Sequence, residues 1–125
     1  MRKPQPLRVA IVGVGGIARH QHLPSLQRCP NVEVVALCDI NADSLKTVCE
    51  QFGVKRQHRD YRELLEKEEF DILSVCTSND MHYPLVMAAL EKGVDIYCEK
   101  PLALNLAQAK EMAAAAQAKG AKTGV

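Results

Sequence analysis

The sequence has no tryptophan and only two phenylalanines among its 125 residues, so its interior cannot be built around large aromatic rings. Val, Ile, Leu and Ala must fill it, as they do in α/β domains. It also lacks any apolar run near the ~20 residues that a membrane-spanning helix needs, so no membrane partner is expected. An excess of one charge is missing too: sixteen Lys and Arg stand against fifteen Asp and Glu, a formal +1. That balance gives no general attraction to nucleic acid or anionic lipid. The five cysteines are odd in number and include no C-x-x-C pair, which fits neither a disulfide framework nor a zinc module. Cys38, Cys76 and Cys98 each close a predicted strand and read as small buried hydrophobes, too far apart across a sheet for one tetrahedral metal. His20 and His22 fall on different helix faces, so no metal site is expected. The amino end carries Pro4 and Pro6 and leads straight into a strand, which is not a secretory leader; a cytoplasmic location is the expectation.

What is present is centred on Leu7 to Ala18. Leu7 to Val12 is a short apolar, β-branched run of the kind that a strand buried on both faces needs. It stops at Gly13-Val14-Gly15-Gly16-Ile17-Ala18, a G-x-G-x-x-A turn opening a helix, the alanine-ended form of the dinucleotide fingerprint. Gly13 allows a sharp turn, Gly15 lets backbone N–H groups approach a pyrophosphate, and Ala18 keeps the helix close to the sheet. The anion would rest on the helix N-terminus, where unpaired N–H groups and the macrodipole favour it. A second strand, Val32 to Cys38, is closed by Asp39, 21 residues past Ala18. A carboxylate at that place holds the hydroxyls of an NAD ribose and repels a 2′-phosphate, so NAD is favoured over NADP.

Further along, the pattern repeats strand and helix in alternation. The first helix spans about residues 16–28 with Pro24 inside it, which predicts a kink or two pieces near Gln21 to Leu23. Asn41 caps a second helix ending at Gly53, and a short strand follows around 54–58. Asp60-x-x-Glu63 has capping-box spacing for a brief helix to Lys67. Phe70 to Cys76 is the fourth strand, Thr77 to Asp80 offer caps for a helix over 81–92, and Val94 to Cys98 is the fifth strand. Asn105 then caps a long alanine-rich helix ending near Lys119. Five β-to-α alternations predict an α/β, doubly wound, mostly parallel Rossmann sheet with helices on both faces. Asp39, Thr77, Asn79 and Lys100 all fall at its carboxyl edge, where such sheets bind ligands.

Together with the glycine turn and Asp39, the stretches Thr77-Ser78-Asn79-Asp80-Met81-His82 and Glu99-Lys100-Pro101-Leu102-Ala103 resemble the nucleotide-binding domain of the glucose-fructose oxidoreductase/inositol dehydrogenase/MocA family. Glu-Lys-Pro after the fifth strand is the most specific of these signals. Ser78 stands where the family usually has proline. The resemblance implies a cofactor site formed by Gly13, Gly15, Gly16, Ile17, Asp39, Thr77, Asn79, His82, Glu99, Lys100 and Pro101. It also implies that Lys100 is catalytic, stabilising the alkoxide that develops as hydride passes between a secondary alcohol and the nicotinamide, or relaying its proton. Glu99 would help to orient the cofactor. From the residues alone, Asn79 reads equally as a helix cap and His82 as a structural histidine.

Family enzymes continue into a second domain that supplies substrate contacts and the oligomer interface. The expectation is therefore one NAD-binding domain over residues 1–125, stopping where a sixth strand begins, with little or no turnover by itself. A small polyol or sugar would bind only with the second domain. An apolar edge left beside the sixth strand makes a homo-oligomer plausible. Two other readings stay open, a non-catalytic NAD(H) sensor and an interaction domain without nucleotide affinity.

Overall fold

The structure, a computed structural model, describes residues 4–125. Six strands, β1 (Leu7–Val12), β2 (Val32–Cys38), β3 (Arg56–His58), β4 (Ile72–Val75), β5 (Asp95–Cys98) and β6 (Thr123–Gly124), form one sheet. Its order is β3-β2-β1-β4-β5-β6, and every neighbouring pair is parallel. The order reverses between β1 and β4, which opens a crevice above their carboxyl ends.

The alternation along β1 explains why both faces of the sheet are covered. Val9 and Ile11 pack with Leu23 of α1 (Leu23–Gln27) and with Leu45 and Val48 of α2 (Ala42–Phe52). Ala10 and Val12 point the other way, into a core with Leu64 of α3 (Tyr61–Lys67), Leu85 and Leu90 of α4 (His82–Lys92), and Met112 of α5 (Leu106–Lys119). Ile11, Leu37, Leu73 and Leu85 are all 0% exposed, and each such side chain is worth roughly 1.5–3 kcal/mol in burial. Small and branched side chains therefore do fill the interior that lacks large aromatics.

Pro24 has the local effect expected of it. The helix after the glycine turn begins with a π-helical stretch, Ala18–His22, and passes into α1 with Pro24 in its first turn. The Leu23 amide bonds back five residues to the Ala18 carbonyl, so the widened turn comes just before the residue that has no N–H to give. Asn41 caps α2 by accepting from the Ser44 amide at 2.9 Å, and Asn105 caps α5 from Gln108 at 2.9 Å. No helix among the described residues is long and apolar enough to cross a membrane.

Other boundaries differ from the expected ones. The capping box at α3 does not close: Asp60 accepts from the Arg62 amide at 2.8 Å, while Glu63 turns outward to Lys67 at 2.6 Å. The polar run before α4 supplies no side-chain cap; a 3-10 turn, Asn79–Met81, leads into the helix instead. β4 is shorter than expected, Ile72–Val75, and the Cys76 that follows it keeps an amide bond to the Val12 carbonyl at 2.8 Å. At the opposite edge of the sheet, Arg8 clamps Asp71 through its backbone amide (2.8 Å), Nε (3.2 Å) and Nη2 (3.0 Å), locking the start of β1 to β4 away from the crevice.

Candidate functional site

The site begins at Gly13. Its φ of +93° suits glycine, and a Cβ there would lie 2.5 Å from the Cys76 carbonyl oxygen. The turn is thus pressed against the chain leaving β4, and the Gly13 amide is tied to the Cys38 carbonyl at 2.8 Å. Gly15 and Gly16 are the reverse case: a Cβ at either would meet nothing within 4 Å. Glycine at these two positions serves no internal packing, and Gly15 leaves bare backbone on the wall of the crevice, as a pyrophosphate needs. Ile17 is 43% exposed beside them.

Asp39 links the first loop to the second. Its Oδ2 accepts from the Val14 amide at 2.8 Å and its Oδ1 from the Asn41 amide at 2.8 Å. Two backbone donors fix the carboxylate while leaving lone pairs for ribose hydroxyls. Between them these elements enclose a cavity of about 550 Å³, bounded by Gly13 and Gly15, by Asp39 and Ile40, by residues 59–62, and by Thr77, Ser78 and Met81. Of the candidates from the sequence, it gathers Gly13, Gly15, Asp39 and Thr77.

The remaining candidates sit farther along the same edge. Lys100 is exposed after β5, and Asp39 follows β2, so both lie on the carboxyl rim of an all-parallel sheet. β2 and β5 are three strand spacings apart, roughly 14–15 Å at 4.7–4.9 Å each. Among the described residues no carboxylate lies within ion-pair distance of the Lys100 ammonium. The Lys100–Pro101 peptide is cis, with Pro101 exposed. Asn79 is exposed in the 3-10 turn, and its side chain caps nothing.

His82 departs from a direct-contact role. It is 0% exposed, with Nδ1 at 2.7 Å from the Pro101 carbonyl and Nε2 at 3.2 Å from the Thr77 carbonyl. Both partners are carbonyl oxygens, which accept, so the ring N–H donates to one or the other according to the tautomer. With no surface of its own, His82 can act on a ligand only through the two loops it joins.

A residue that the sequence reading set aside completes the rim. His22 Nε2 donates to Glu99 Oε1 at 2.6 Å, and the Lys100 amide reaches Glu99 Oε2 at 3.3 Å. The hydrogen bond from His22, followed by its charge and the Lys100 contacts, holds the Glu99 carboxyl below the usual carboxylate range. His22 is 8% exposed, and its ring lies 5.3 Å from that of Tyr97. The available signal was spacing: His22 is four residues past Ala18, on the helix face that the fingerprint alanine packs against the sheet. The thiols around the site are quiet. Burial pushes Cys38 up to about 12 and Cys76 up to about 11, and no group of three or more metal-ligating side chains occurs among the described residues.

A doubly wound parallel sheet, a bare glycine turn and a fixed carboxylate at the tip of the second strand define a dinucleotide-binding domain. Comparison with known proteins agrees. A family model described as "Oxidoreductase family, NAD-binding Rossmann fold" matches residues 7–125. The chain belongs to this glucose-fructose oxidoreductase/inositol dehydrogenase/MocA family of oxidoreductases. It is 36% identical over 111 residues to D-apiose dehydrogenase of Paraburkholderia graminis, covering 89% of this chain and 29% of that protein. An oxidoreductase from Agrobacterium radiobacter, solved with NAD+, L-tartaric acid and magnesium, superposes with a TM-score of 0.92 at 28% identity. That match covers 95% of this chain and 34% of the other. A 3-ketoreductase from Actinomadura kijaniata, solved with TDP-benzene and NADP, gives 0.87 at 32% identity over 94% of this chain and 37% of its own. The chain spans about a third of the length of these relatives.

Proposed function

We propose that this chain holds the nicotinamide nucleotide of a dehydrogenase acting on a secondary alcohol of a sugar, cyclitol or related polyol. The glycine turn and Asp39 fit the group: the first offers uncovered backbone, and the second offers a carboxylate with spare lone pairs at the ribose position. When bound, the nicotinamide supplies the hydride acceptor or donor. The observation that carries the chemical half is Lys100, an exposed ammonium with no carboxylate partner among the described residues, standing on the same rim as Asp39.

Lys100 stabilises negative charge on the alcohol oxygen and holds or takes up its proton. Glu99, oriented by His22, fixes the backbone from which Lys100 projects. His82 sets the distance between the loop after β4 and the loop carrying Pro101, and so places Thr77 and Asn79 against the nucleotide. Fluorescence titration with NADH tests the binding half: saturable binding that Gly15→Val abolishes is expected, and no saturable binding would refute it. Deuterium transfer from a C-deuterated polyol to NAD+, in a protein that joins this chain to a substrate domain, tests the other half. Transfer that survives Lys100→Met would remove Lys100 from the mechanism.

A further inference from the structure

We propose that His58 is a positioning residue for the nucleotide site: gripped between Glu63 and Glu68, its imidazolium holds the wall made by residues 59–62, and loss of its proton loosens that wall and weakens nucleotide binding. This rests on the cavity at Asp39 being part of the dinucleotide site.

His58 is the last residue of β3, level with Cys38 at the end of β2. Its side chain is 10% exposed and lies against α3. Nε2 donates at 2.7 Å to Oε1 of Glu68, the residue just past α3, and Nδ1 stands 3.8 Å from Oε1 of Glu63 in the first turn. One ring therefore spans the helix from end to end. The His58 backbone leads into the cavity: its carbonyl accepts from the Asp39 amide at 3.1 Å, and Arg59 to Arg62, the residues that follow, line the wall. A seven-residue helix does not hold itself in place, and Leu64 is the buried side chain of α3, so much of its attachment to β3 is polar.

The charges around the ring are matched so that a proton can leave without collapse. On β3, Arg56 sits 3.1 Å from Glu68 Oε2; on α3, Glu63 is also paired with Lys67 at 2.6 Å. In the loop, Arg59 is bonded to the Ile40 carbonyl and Asp60 to the Arg62 amide. On β2, burial pushes the Cys38 thiol up to about 12, so it stays neutral. Doubly protonated, the ring donates to Glu68 and presents a charged N–H to Glu63; singly protonated, it has one donor and no charge. Arg56 and Lys67 still balance the two carboxylates, so deprotonation slackens the grip without leaving Glu68 buried and unpaired. The fold survives the change, while the wall beside Asp39 loses a tie.

The test is a fluorescence titration of the 125-residue chain with NADH, and its displacement by ADP-ribose, from about pH 6 to about pH 8, on the parent, His58→Gln and Glu63→Gln. ADP-ribose carries no nicotinamide, so Lys100 does not enter its binding, and its diphosphate does not titrate over that range. Parent affinity for both ligands is expected to fall about fivefold as pH rises. His58→Gln, which keeps a neutral donor to Glu68, should bind at every pH as the parent does near the alkaline end. Glu63→Gln, at a partly exposed position outside the cavity, should shrink the fall to about twofold, and it decides the matter alone if His58→Gln does not fold. Parent affinity that does not change with pH overturns the inference, as does a fall that both variants share in full. An equal loss at every pH in His58→Gln marks a merely structural histidine and overturns it too. A chain that binds NADH with a flat profile refutes this inference alone; one that binds neither ligand refutes the proposed function with it.

Discussion

Replacing Gly13 by alanine separates the two tasks that the glycine turn performs. Alanine at φ +93° is strained whatever space surrounds it, at a cost of about 1–2 kcal/mol. Its Cβ would also stand 2.5 Å from the Cys76 oxygen and 2.6 Å from the Cys76 carbonyl carbon. That carbonyl cannot easily retreat, because the Cys76 amide is bonded to the Val12 carbonyl at 2.8 Å and the next strand, β5, is tied on through Glu99 and Val75 at 2.9 Å. Overpacking against fixed backbone adds about 1–3 kcal/mol, for a total loss of about 2–5 kcal/mol. Against a domain stability of about 5–15 kcal/mol, that lowers the melting temperature by roughly 8–20 °C. Gly15→Ala is the control, because no atom lies within 4 Å of the added methyl. Its melting temperature should stay within a few degrees of the parent while NADH affinity falls. The assay is thermal and urea unfolding of both variants beside an NADH titration. Equal melting temperatures for Gly13→Ala and the parent would refute the claim that the turn is pressed onto the β4 backbone.

Cys29 is the exposed cysteine of the five, so a thiol reagent should titrate one group in the native chain and all five after denaturation. Glu68, hydrogen-bonded by His58 and flanked by Arg56, and Glu99, hydrogen-bonded by His22, both sit below the ordinary carboxylate range. Lowered carboxyl groups stabilise the fold above their unfolded values, and that contribution is lost as pH falls through the folded ones; melting temperature should therefore decline on acidification below about pH 4.5. Glu68→Gln should flatten that decline. His22→Ala leaves Glu99 without its principal donor and should weaken NADH binding while the Asp39 end stays intact; unchanged affinity would count against any role in orienting the loop.

The fold was readable because β1, β2 and β4 are short apolar runs rich in β-branched residues and followed by glycine or polar residues, a signal carried by neighbouring residues. Pro24 belongs to the same kind of evidence, and the helix changes character beside it. Asp39 and the glycines were legible for a different reason: their spacing encodes a strand, a turn and a second strand of defined length. His22 and Glu99 are 77 residues apart, and no local pattern joins them. His82 and Pro101 are likewise paired only once β4 and β5 lie side by side. The unclosed box at Asp60 shows competition of another sort, since Glu63 has Lys67 one turn ahead and His58 at 3.8 Å, and these partners draw it away from the cap.

These long-range pairs share one geometry. Asp39 joins the loop after β2 to the loop after β1, His82 joins the loop after β4 to the loop after β5, and Glu99 joins the loop after β5 to the helix after β1. Each link runs from a side chain of one loop to a backbone or ring of another, so the carboxyl rim is cross-tied along its length by polar contacts. Loops ordered in this way have little conformational freedom left to lose when a ligand arrives, and binding energy is not spent on arranging them. Of the groups assigned to the ligand, the Gly15 amide and the Lys100 ammonium lie outside these ties, while Asp39 belongs to one of them and keeps lone pairs to spare. A rim that is rigid except for its uncommitted donors is what an extended dinucleotide requires: fixed distances between its ends, and free N–H groups where its charge falls.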